Sequence, residues 1–472
     1  MTKLKLTVAT LLLSGFAFSQ KTSQVFESID TNLSDYKTIA LEIWDLAEMG
    51  YQEYQSSNLL KTRLESEGFS ITTGVAEIPT AFVAEYGTDG PMIGILGEFD
   101  ALPGLSQKAV PFKESANAIG GHGCGHHLFG TASLAAAVAL KDWLIKTKTE
   151  GRIRFYGTPA EEGGGAKVYM SRAGLFDDVD VVLHWHPGAA NQANEAAALA
   201  NISGKFRFNG VSAHAAGAPE RGRSALDAVE AMNYMVNMMR EHVPQETRIH
   251  YVITDGGKAP NVVPDFAEVY YYSRHPSREV VRNIFDRIVL AAEGAAKGTE
   301  TTMSYEVVNG VHELLPNQTL QTLVHESLSI VGGYTYSAEE RAFAEQISES
   351  LNRTLDEHVT KEVAPYQEAS RAYGSTDVGD VSFVVPTVGF GTATWVPGTS
   401  AHSWQAVAAG GTSIGLKGME VAAKTLALSG AKLFKNPKII AKARAEFEER
   451  RGADFNYRPL LGNRPPALDY RN

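Results

Sequence analysis

The order of the apolar segments constrains the fold of this chain more than any other feature of its sequence. In chain order these segments are a helical region at 30–68, strand-like runs at 80–86 and 91–99, a helix rich in Ala and Leu at 125–146, and buried strands at 153–157 and 179–184. Strands that alternate with helices predict a largely parallel sheet with helices on both faces. The expected fold class is therefore α/β.

A second pattern begins at about residue 201 and interrupts the first. It consists of strand 202–209, helix 224–241, strands 247–254 and 266–273, helix 277–297 and strand 302–309. This β-α-β-β-α-β order is typical of ferredoxin-like domains, which form a complete small sheet of their own. We therefore predict a ferredoxin-like α+β domain inserted at 201–312.

The segments after the insertion return to the first pattern and are expected to complete its sheet. They are helices at 317–331 and 337–358, a strand at 382–390 and a helix at 405–430. The first domain is thus predicted to comprise 20–200 and 313–435, with a mixed, mostly parallel sheet flanked by helices. The last segment, 436–472, is rich in Arg, Pro and Asn, and we expect it to wrap the surface as a tail.

The first residues, 1–19, resemble a secretory signal peptide. Lys3 and Lys5 precede an apolar run at 6–16, and a cleavage site follows at 17–19. The apolar run is shorter than the roughly 20 residues that span a bilayer, and a buried N-terminal helix is the alternative. We expect an exported protein, periplasmic or extracellular, that is not held in a membrane.

Charge and cysteine content exclude other classes of protein. The 472 residues include 43 Lys and Arg against 54 Asp and Glu, which gives a formal charge of −11 without any basic block. Phosphate binding needs clustered cations, so we expect no nucleic-acid partner. A single cysteine, Cys124, excludes an intramolecular disulfide framework and a multi-cysteine metal cage.

The sharpest chemical motif is GHGCGHH at 121–127, where the helix 125–146 is predicted to begin. Cys124 and His126 are two positions apart on a glycine-flexed turn, so both can reach one cation. Cysteine and histidine are preferred ligands of zinc and similar metals. The alternative is a helix entry that is merely rich in histidine.

Further candidate residues follow other predicted strands. Glu161 and Glu162 come after the strand 153–157, where adjacent carboxylates can divide the tasks of binding a metal and accepting a proton. The alternative is an exposed acidic turn. His184 and His186 end the next strand and project to the same face. His402 lies on a loop before helix 405–430 and is a weak candidate alone; together these segments converge on one set of ligands.

The inserted segment has a polar set of its own. His214 follows the first strand of this segment. Asn261 precedes its third strand, and Arg274 comes directly after that strand. A planar guanidinium is well suited to a substrate carboxylate or carbonyl. Surface solvation is the alternative for all three.

Taken together, these motifs resemble the metal-dependent aminoacylase and carboxypeptidase family of amidohydrolases, and within it the branch formed by the B-type chain of aminobenzoyl-glutamate hydrolase. The resemblance runs from about residue 35 to the tail. The motifs that carry it are GEFDALPG at 97–104, HGCGH at 122–126, TPAEEGG at 158–164, SAHAA at 212–216 and GSTDVGD at 374–380. This ordered set is specific for the family and much less specific for the substrate.

The resemblance implies a set of metal ligands, namely Cys124, His126, Glu162, His186 and His402. The Cys124 thiolate is a candidate bridge between two ions. His186 matches its position better than His184, which stays an alternative, because His186 lies six residues after Asp180. Asp100 is expected to orient a ligand.

The resemblance also implies catalytic and substrate-binding residues. Glu161 would be the general base. His214 would reach from the inserted domain, of the same or a partner subunit, to polarise the scissile carbonyl. Asn261 and Arg274 match substrate-contact positions.

By this resemblance the chain is a metal-dependent amidohydrolase that cleaves the amide bond of N-acyl amino acids such as aminobenzoyl-glutamate. It would use one or two divalent ions, zinc or manganese, and pair as a homodimer through the inserted domain, which also closes over the site. Two alternatives remain: a dipeptidase or peptidase acting on short peptides by the same mechanism, and a non-catalytic two-lobed solute-binding protein. The paired Glu161 and Glu162 argue against the latter, because a passive receptor needs no general base.

Overall fold

The computed structural model of the chain describes residues 2–194, 197–368 and 374–471, without the side chains of residues 2–23. The signal peptide predicted at 1–19 falls on Met1 and on those side chains, outside the described part, and stays a prediction. The helices are α1 Thr2–Leu46, α2 Tyr54–Ser66, α3 His126–Thr147, α4 Ala166–Arg172, α5 Ala225–Met239, α6 Arg278–Gly298, α7 Gln318–Val331, α8 Ala338–Ser350, α9 His358–Lys361, α10 Val378–Ser382, α11 Trp404–Gly410, α12 Ser413–Lys435 and α13 Pro437–Arg451.

The strands form two main sheets and two short ladders. They are β1 Ser70–Thr73, β2 Phe82–Tyr86, β3 Met92–Gly97, β4 Leu102–Pro103, β5 Gly120–Gly121, β6 Arg152–Gly157, β7 Val181–Leu183, β8 His186–Gly188, β9 Ala200–Asn209, β10 Arg248–Asp255, β11 Phe266–His275, β12 Thr302–Val311, β13 Thr387–Val388 and β14 Gly391–Ala393.

The first sheet has six strands in the order β1-β2-β6-β3-β7-β13. Strands β6, β3, β7 and β13 are parallel neighbours, whereas β1 and β2 join antiparallel at one edge. All six residues of β3 are buried, which is why this strand has a continuous apolar sequence instead of an alternating one. The predicted α/β class with a mixed, mostly parallel sheet is confirmed.

Helix α3 lies at the centre of the first core. Its run of alanines lets α1 and α12 pack closely against it, and Leu134, Val138 and Leu140 are fully buried. Among the described residues it is the one helix long and apolar enough to cross a membrane, and 89% of that stretch is buried inside the protein. The composition of α3 is therefore that of a core helix.

The second sheet is built from residues 200–311 and is entirely antiparallel, in the order β10-β11-β9-β12. Inward-facing side chains such as Phe206 and Tyr271 meet Val229 of α5 and Ile288 of α6 in a separate core. The four strands and two helices predicted in this region are present, in the strand order of a ferredoxin-like unit. The use of this unit for dimerisation stays a prediction.

Four predictions of local structure were wrong. The helix expected at 337–358 ends at Ser350, and the helix expected at 405–430 is divided into α11 and α12. The strand expected at 382–390 is reduced to Thr387–Val388, because α10 ends at Ser382 and a turn follows. Val381, Val385 and Val388 are all buried there, and a short buried run does not distinguish a strand from other buried backbone. The tail begins with α13, whose buried Phe447 faces the protein interior, so its initial part is a packed helix.

Candidate active site

The site lies where three neighbouring parallel strands end. Gly97 of β3 is paired with Gly157 of β6, and β7 flanks β3 on its other side. The residues that follow these strands therefore emerge at the same edge of the sheet, where ligands bind in α/β proteins. They are Glu98 and Asp100 after β3, Glu161 and Glu162 after β6, and His184 and His186 after β7.

The five ligands that the resemblance implies come together at this edge. The ligand atoms of Cys124, His126 and His186 all lie within 4.8 Å of one another, and the same holds for Cys124, Glu162 and His402. His402 Nε2 is 3.0 Å from Cys124 Sγ and 3.2 Å from Glu162 Oε1. The thiol belongs to both sets, so the geometry offers two adjacent three-ligand sites that share Cys124.

The side chain of His184 points in a different direction from that of His186. A Cβ atom at Gly389 would lie 2.2 Å from the His184 ring, which packs against that glycine. Burial, together with the neighbouring His186, lowers the pKa of His184 to about 3. The structure thus places His186, and not His184, beside Cys124 and His126.

Three backbone positions with positive φ hold the site residues in place. Gly125 (φ 72°) precedes His126, and a Cβ atom there would meet Pro187 at 2.8 Å. Ala160 (φ 57°) precedes Glu161, and its N–H donates to the buried Glu53 carboxylate at 2.8 Å. His402 itself has φ 58°. Non-glycine residues rarely adopt this conformation, and such strain concentrates at functional sites.

Asp100 orients two of the ligands, as expected from the sequence. Its Oδ1 lies 2.9 Å from His126 Nδ1, and its Oδ2 accepts a hydrogen bond from the Glu162 N–H at 2.9 Å. The His126 ring is thereby fixed with Nε2 directed into the site. Although burial opposes it, the charge of His126 holds the pKa of Asp100 below its usual value.

A buried lysine that sequence reasoning missed neutralises the deeper carboxylates. Lys167 Nζ lies 2.7 Å from Glu98 Oε1 and 2.8 Å from Asp377 Oδ1, and all three side chains are at most 1% exposed. Glu98 Oε2 in turn is 3.1 Å from His126 Nε2. Asp377 belongs to the motif at 374–380, to which the sequence assigned no role. Lys167 lies in none of the motifs found in the sequence.

The chemistry of the donor set fits divalent cations. Glu98 Oε2, His126 Nε2 and Glu162 Oε1 are buried. His126 Nε2 lies 3.1 Å from Glu98 Oε2 and His402 Nε2 lies 3.2 Å from Glu162 Oε1, but none of the three buried atoms makes a well-aligned hydrogen bond with a described residue. Buried polar atoms without partners are costly, so their convergence indicates a group that they bind. Thiolate, imidazole and carboxylate are the ligands that zinc and similar metals prefer.

A cavity of about 750 Å³ opens in front of these ligands and extends to the second sheet. Arg274 of β11, a substrate-contact position by the family resemblance, lines it. His214 and Asn261 are not among the residues that line it. His214 lies in the loop after β9, and its Nδ1 accepts hydrogen bonds from the N–H groups of Ala216 and Gly217.

A mostly parallel sheet with paired metal-ligand sets and a second glutamate at its carboxyl edge indicates a metal-dependent hydrolase. Residues 94–427 match the model of the peptidase family M20/M25/M40, and the chain belongs to this family. It is therefore a hydrolase that acts on amide or peptide bonds, which confirms the family resemblance and disfavours a non-catalytic binding protein.

Two curated relatives cover nearly the whole chain. It is 40% identical to the B chain of the p-aminobenzoyl-glutamate hydrolase of Escherichia coli K12, over 93% of this chain and 98% of the relative. It is 29% identical to the Xaa-Arg dipeptidase of Mus musculus, over 89% of this chain and 91% of the relative.

Solved structures share the fold. An aminobenzoyl-glutamate utilization protein from Klebsiella pneumoniae superposes with a TM-score of 0.60 at 18% identity, covering 87% of this chain and 98% of the other. A dinuclear metal-binding peptidase of the M20 family from Bacillus subtilis gives a TM-score of 0.53 at 17% identity, covering 84% and 98%.

Proposed function

We propose that this protein hydrolyses the amide bond of N-acyl amino acids, with p-aminobenzoyl-glutamate as the representative substrate. The observation that carries the proposal is the pair of ligand sets sharing Cys124, with the carboxylate of Glu161 beside them. The substrate is taken from the name of the Escherichia coli relative, which is 40% identical over 469 residues.

One or two divalent ions, zinc or manganese, are the proposed cofactors. Cys124, His126 and His186 would hold one ion, and Cys124, Glu162 and His402 the other. Thiolate and imidazole suit zinc, whereas carboxylates also suit manganese. Such an ion, when bound, polarises a carbonyl and makes water acidic enough to react near neutral pH.

Glu161 is the proposed general base. Burial raises the pKa of its carboxyl well above the usual value, and the neighbouring Glu98 and Glu162 add to the effect. A carboxylate with raised proton affinity can take a proton from the attacking water and deliver it to the leaving amide nitrogen. Lys167 and Asp100 keep the surrounding side chains fixed while the proton moves.

The proposed partner is a second copy of the chain, paired through the second sheet. β10 is an edge strand, and Tyr251, Val252 and Ile253 on it are exposed. An exposed apolar edge is a natural place for another strand to pair. His214 lies outside the cavity of its own chain, and we propose that it serves the site of the partner copy.

We also propose that the protein is exported by the segment at 1–19. The basic start and apolar run of this segment support the proposal. Cell fractionation should recover the mature protein outside the cytoplasm with its N-terminus near Gln20; a cytoplasmic protein that keeps Met1 would contradict export.

A dipeptidase acting on short peptides is the second candidate, because the Mus musculus relative is an Xaa-Arg dipeptidase. The test is an assay of the zinc- or manganese-loaded protein on p-aminobenzoyl-glutamate, other N-acyl amino acids and dipeptides. We expect the highest kcat/KM on p-aminobenzoyl-glutamate and loss of activity after chelation. Higher kcat/KM on dipeptides would favour the dipeptidase, and no turnover of any amide by the loaded protein would contradict both functions.

A further inference from the structure

The last described residues, 459–471, follow a fixed path from the second sheet to the active-site cavity. The Arg464 guanidinium donates to the backbone of β12 at Val308 O, 2.9 Å away, and pairs with Glu306 Oε1 at 3.0 Å. Further along, Gln52 Nε2 donates to Leu468 O at 3.1 Å. These contacts attach the segment both to the second sheet and to the domain of the first sheet, so they fix the position of its last described residues.

The segment ends against the loop that carries the catalytic glutamates. The Tyr470 ring packs edge-on against Tyr51 with centroids 5.5 Å apart. The next residue, Arg471, donates from Nη2 to the main-chain oxygen of Glu162 at 2.5 Å and forms part of the cavity wall. A guanidinium from the tail is thereby anchored beside the ligand set.

Arg471 and Arg274 reach the same cavity from different parts of the chain. In both side chains Nε is buried and has no hydrogen-bond partner among the described residues. An unpartnered buried donor is costly, and a guanidinium presents its donors in a fork that matches a carboxylate. Two such guanidiniums in one cavity call for a ligand with two anionic groups.

We propose that Arg471 is a specificity-determining residue that, together with Arg274, selects N-acyl amino acids whose released amino acid carries two carboxylates. This inference rests on the proposed amidohydrolase function and deepens it, because it names the substrate class by charge. In this arrangement Arg274 receives the α-carboxylate and Arg471 receives the side-chain carboxylate. The tail is in this view part of the substrate site.

The test compares p-aminobenzoyl-glutamate with p-aminobenzoyl-glutamine, which has the same size and one carboxylate fewer. In Arg471→Gln we expect kcat/KM for the glutamate substrate to fall about tenfold or more, mainly through KM, as for the loss of a charge-assisted hydrogen bond. The glutamine substrate should change less than about threefold, because it lacks the second anion. Arg458→Gln, an exposed tail arginine outside the cavity wall, should leave both values unchanged.

The outcomes separate this inference from the function on which it rests. Equal losses on both substrates would mean that Arg471 only supports the Glu162 loop. No loss on either substrate would mean that Arg471 does not contact the substrate, and both results would overturn the inference. Deletion of residues 470–472 provides a second variant and should give the same selective loss. A loaded wild-type protein that hydrolyses neither substrate would contradict the proposed function itself.

Discussion

Glu161 and Glu162 are neighbours in the chain, yet their surroundings shift the pKa values of the two carboxyls in opposite directions. Burial and the nearby Glu98 raise the pKa of Glu161, since its ionisation would add a negative charge to a negative surrounding. Burial acts on Glu162 as well, but the close contact with the His402 ring and the charge of His126 hold its pKa below the usual value. One residue is thus suited to carry a proton and the other to bind a cation.

This division predicts distinct effects of removing each carboxylate. Glu161→Ala should lower kcat by about 10²- to 10⁴-fold, the usual contribution of a general base, while the bound metal stays near the wild-type amount. Glu162→Ala should instead lose metal, because it removes a ligand. Elemental analysis of the purified variants beside their kinetics distinguishes the two, and loss of metal in Glu161→Ala would assign that residue as a ligand.

Among single residues, the sequence identified those candidate ligands that lie where neighbouring strands end. Cys124, Glu162 and His186 each stand at the edge of a recognisable strand or helix, so their convergence followed from the parallel order. Lys167 did not stand out, because its partner Asp377 is 210 residues away in the chain. The position of Arg471 in the cavity wall could not be predicted either, because the composition of the tail does not indicate which part of the protein it contacts.

At the scale of elements, Asp380 links α10 to the chain beyond β12 and to the tail. Its Oδ2 accepts from the His312 N–H at 2.9 Å, and its Oδ1 accepts from the Tyr457 hydroxyl at 2.8 Å. Burial raises the pKa of this carboxyl from its usual 3.8 to about 7. The three segments therefore meet around a group that the folded protein keeps protonated in mildly acidic solution.

A pH dependence of stability follows from this raised pKa. Below pH 3.8 Asp380 is protonated in both states; as pH rises towards 7 only the unfolded chain ionises, so its contribution to the free energy of unfolding is progressively lost. A rise in pKa from 3.8 to about 7 corresponds to about 4 kcal/mol. Asp380→Asn removes the titration, so this variant should gain stability relative to wild type between pH 4 and 7.

Urea unfolding at a series of pH values measures that difference. His312, whose pKa burial lowers to about 4, has the opposite slope and is present in both proteins. The exposed Asp454 serves as the control, because Asp454→Asn should show no such trend. A difference between wild type and Asp380→Asn that does not vary with pH would contradict the prediction.

The elements themselves were predictable where hydrophobic period and length agreed. The six elements predicted in the second sheet region are all present. The region around α10 was not predictable, because buried valines there fit a strand and a packed turn equally well. Helix 405–430 proved to be two helices, since Thr412 caps α12 through its hydroxyl after α11 has ended at Gly410.

At the scale of the whole molecule, the proposed pairing of two copies depends on the position of His214. The cavity brings together residues from both sheets and from the tail, yet His214 lies outside it. Strand β10 lies at the edge of the same sheet. Within the described part of the chain no strand pairs with its outer side, which another chain could therefore occupy. A symmetric pair joined through the second sheets would present the His214 of each copy to a neighbour.

Complementation between two inactive variants tests this arrangement. Glu161→Ala lacks the base and His214→Ala lacks the carbonyl contact, so each alone should be nearly inactive. When the two are mixed and allowed to exchange protomers, half of the dimers become mixed, and each mixed dimer has one site with Glu161 from one copy and His214 from the other. About a quarter of the wild-type activity should return. If light scattering shows a dimer and labelled protomers exchange, but no activity returns, His214 does not act across the interface.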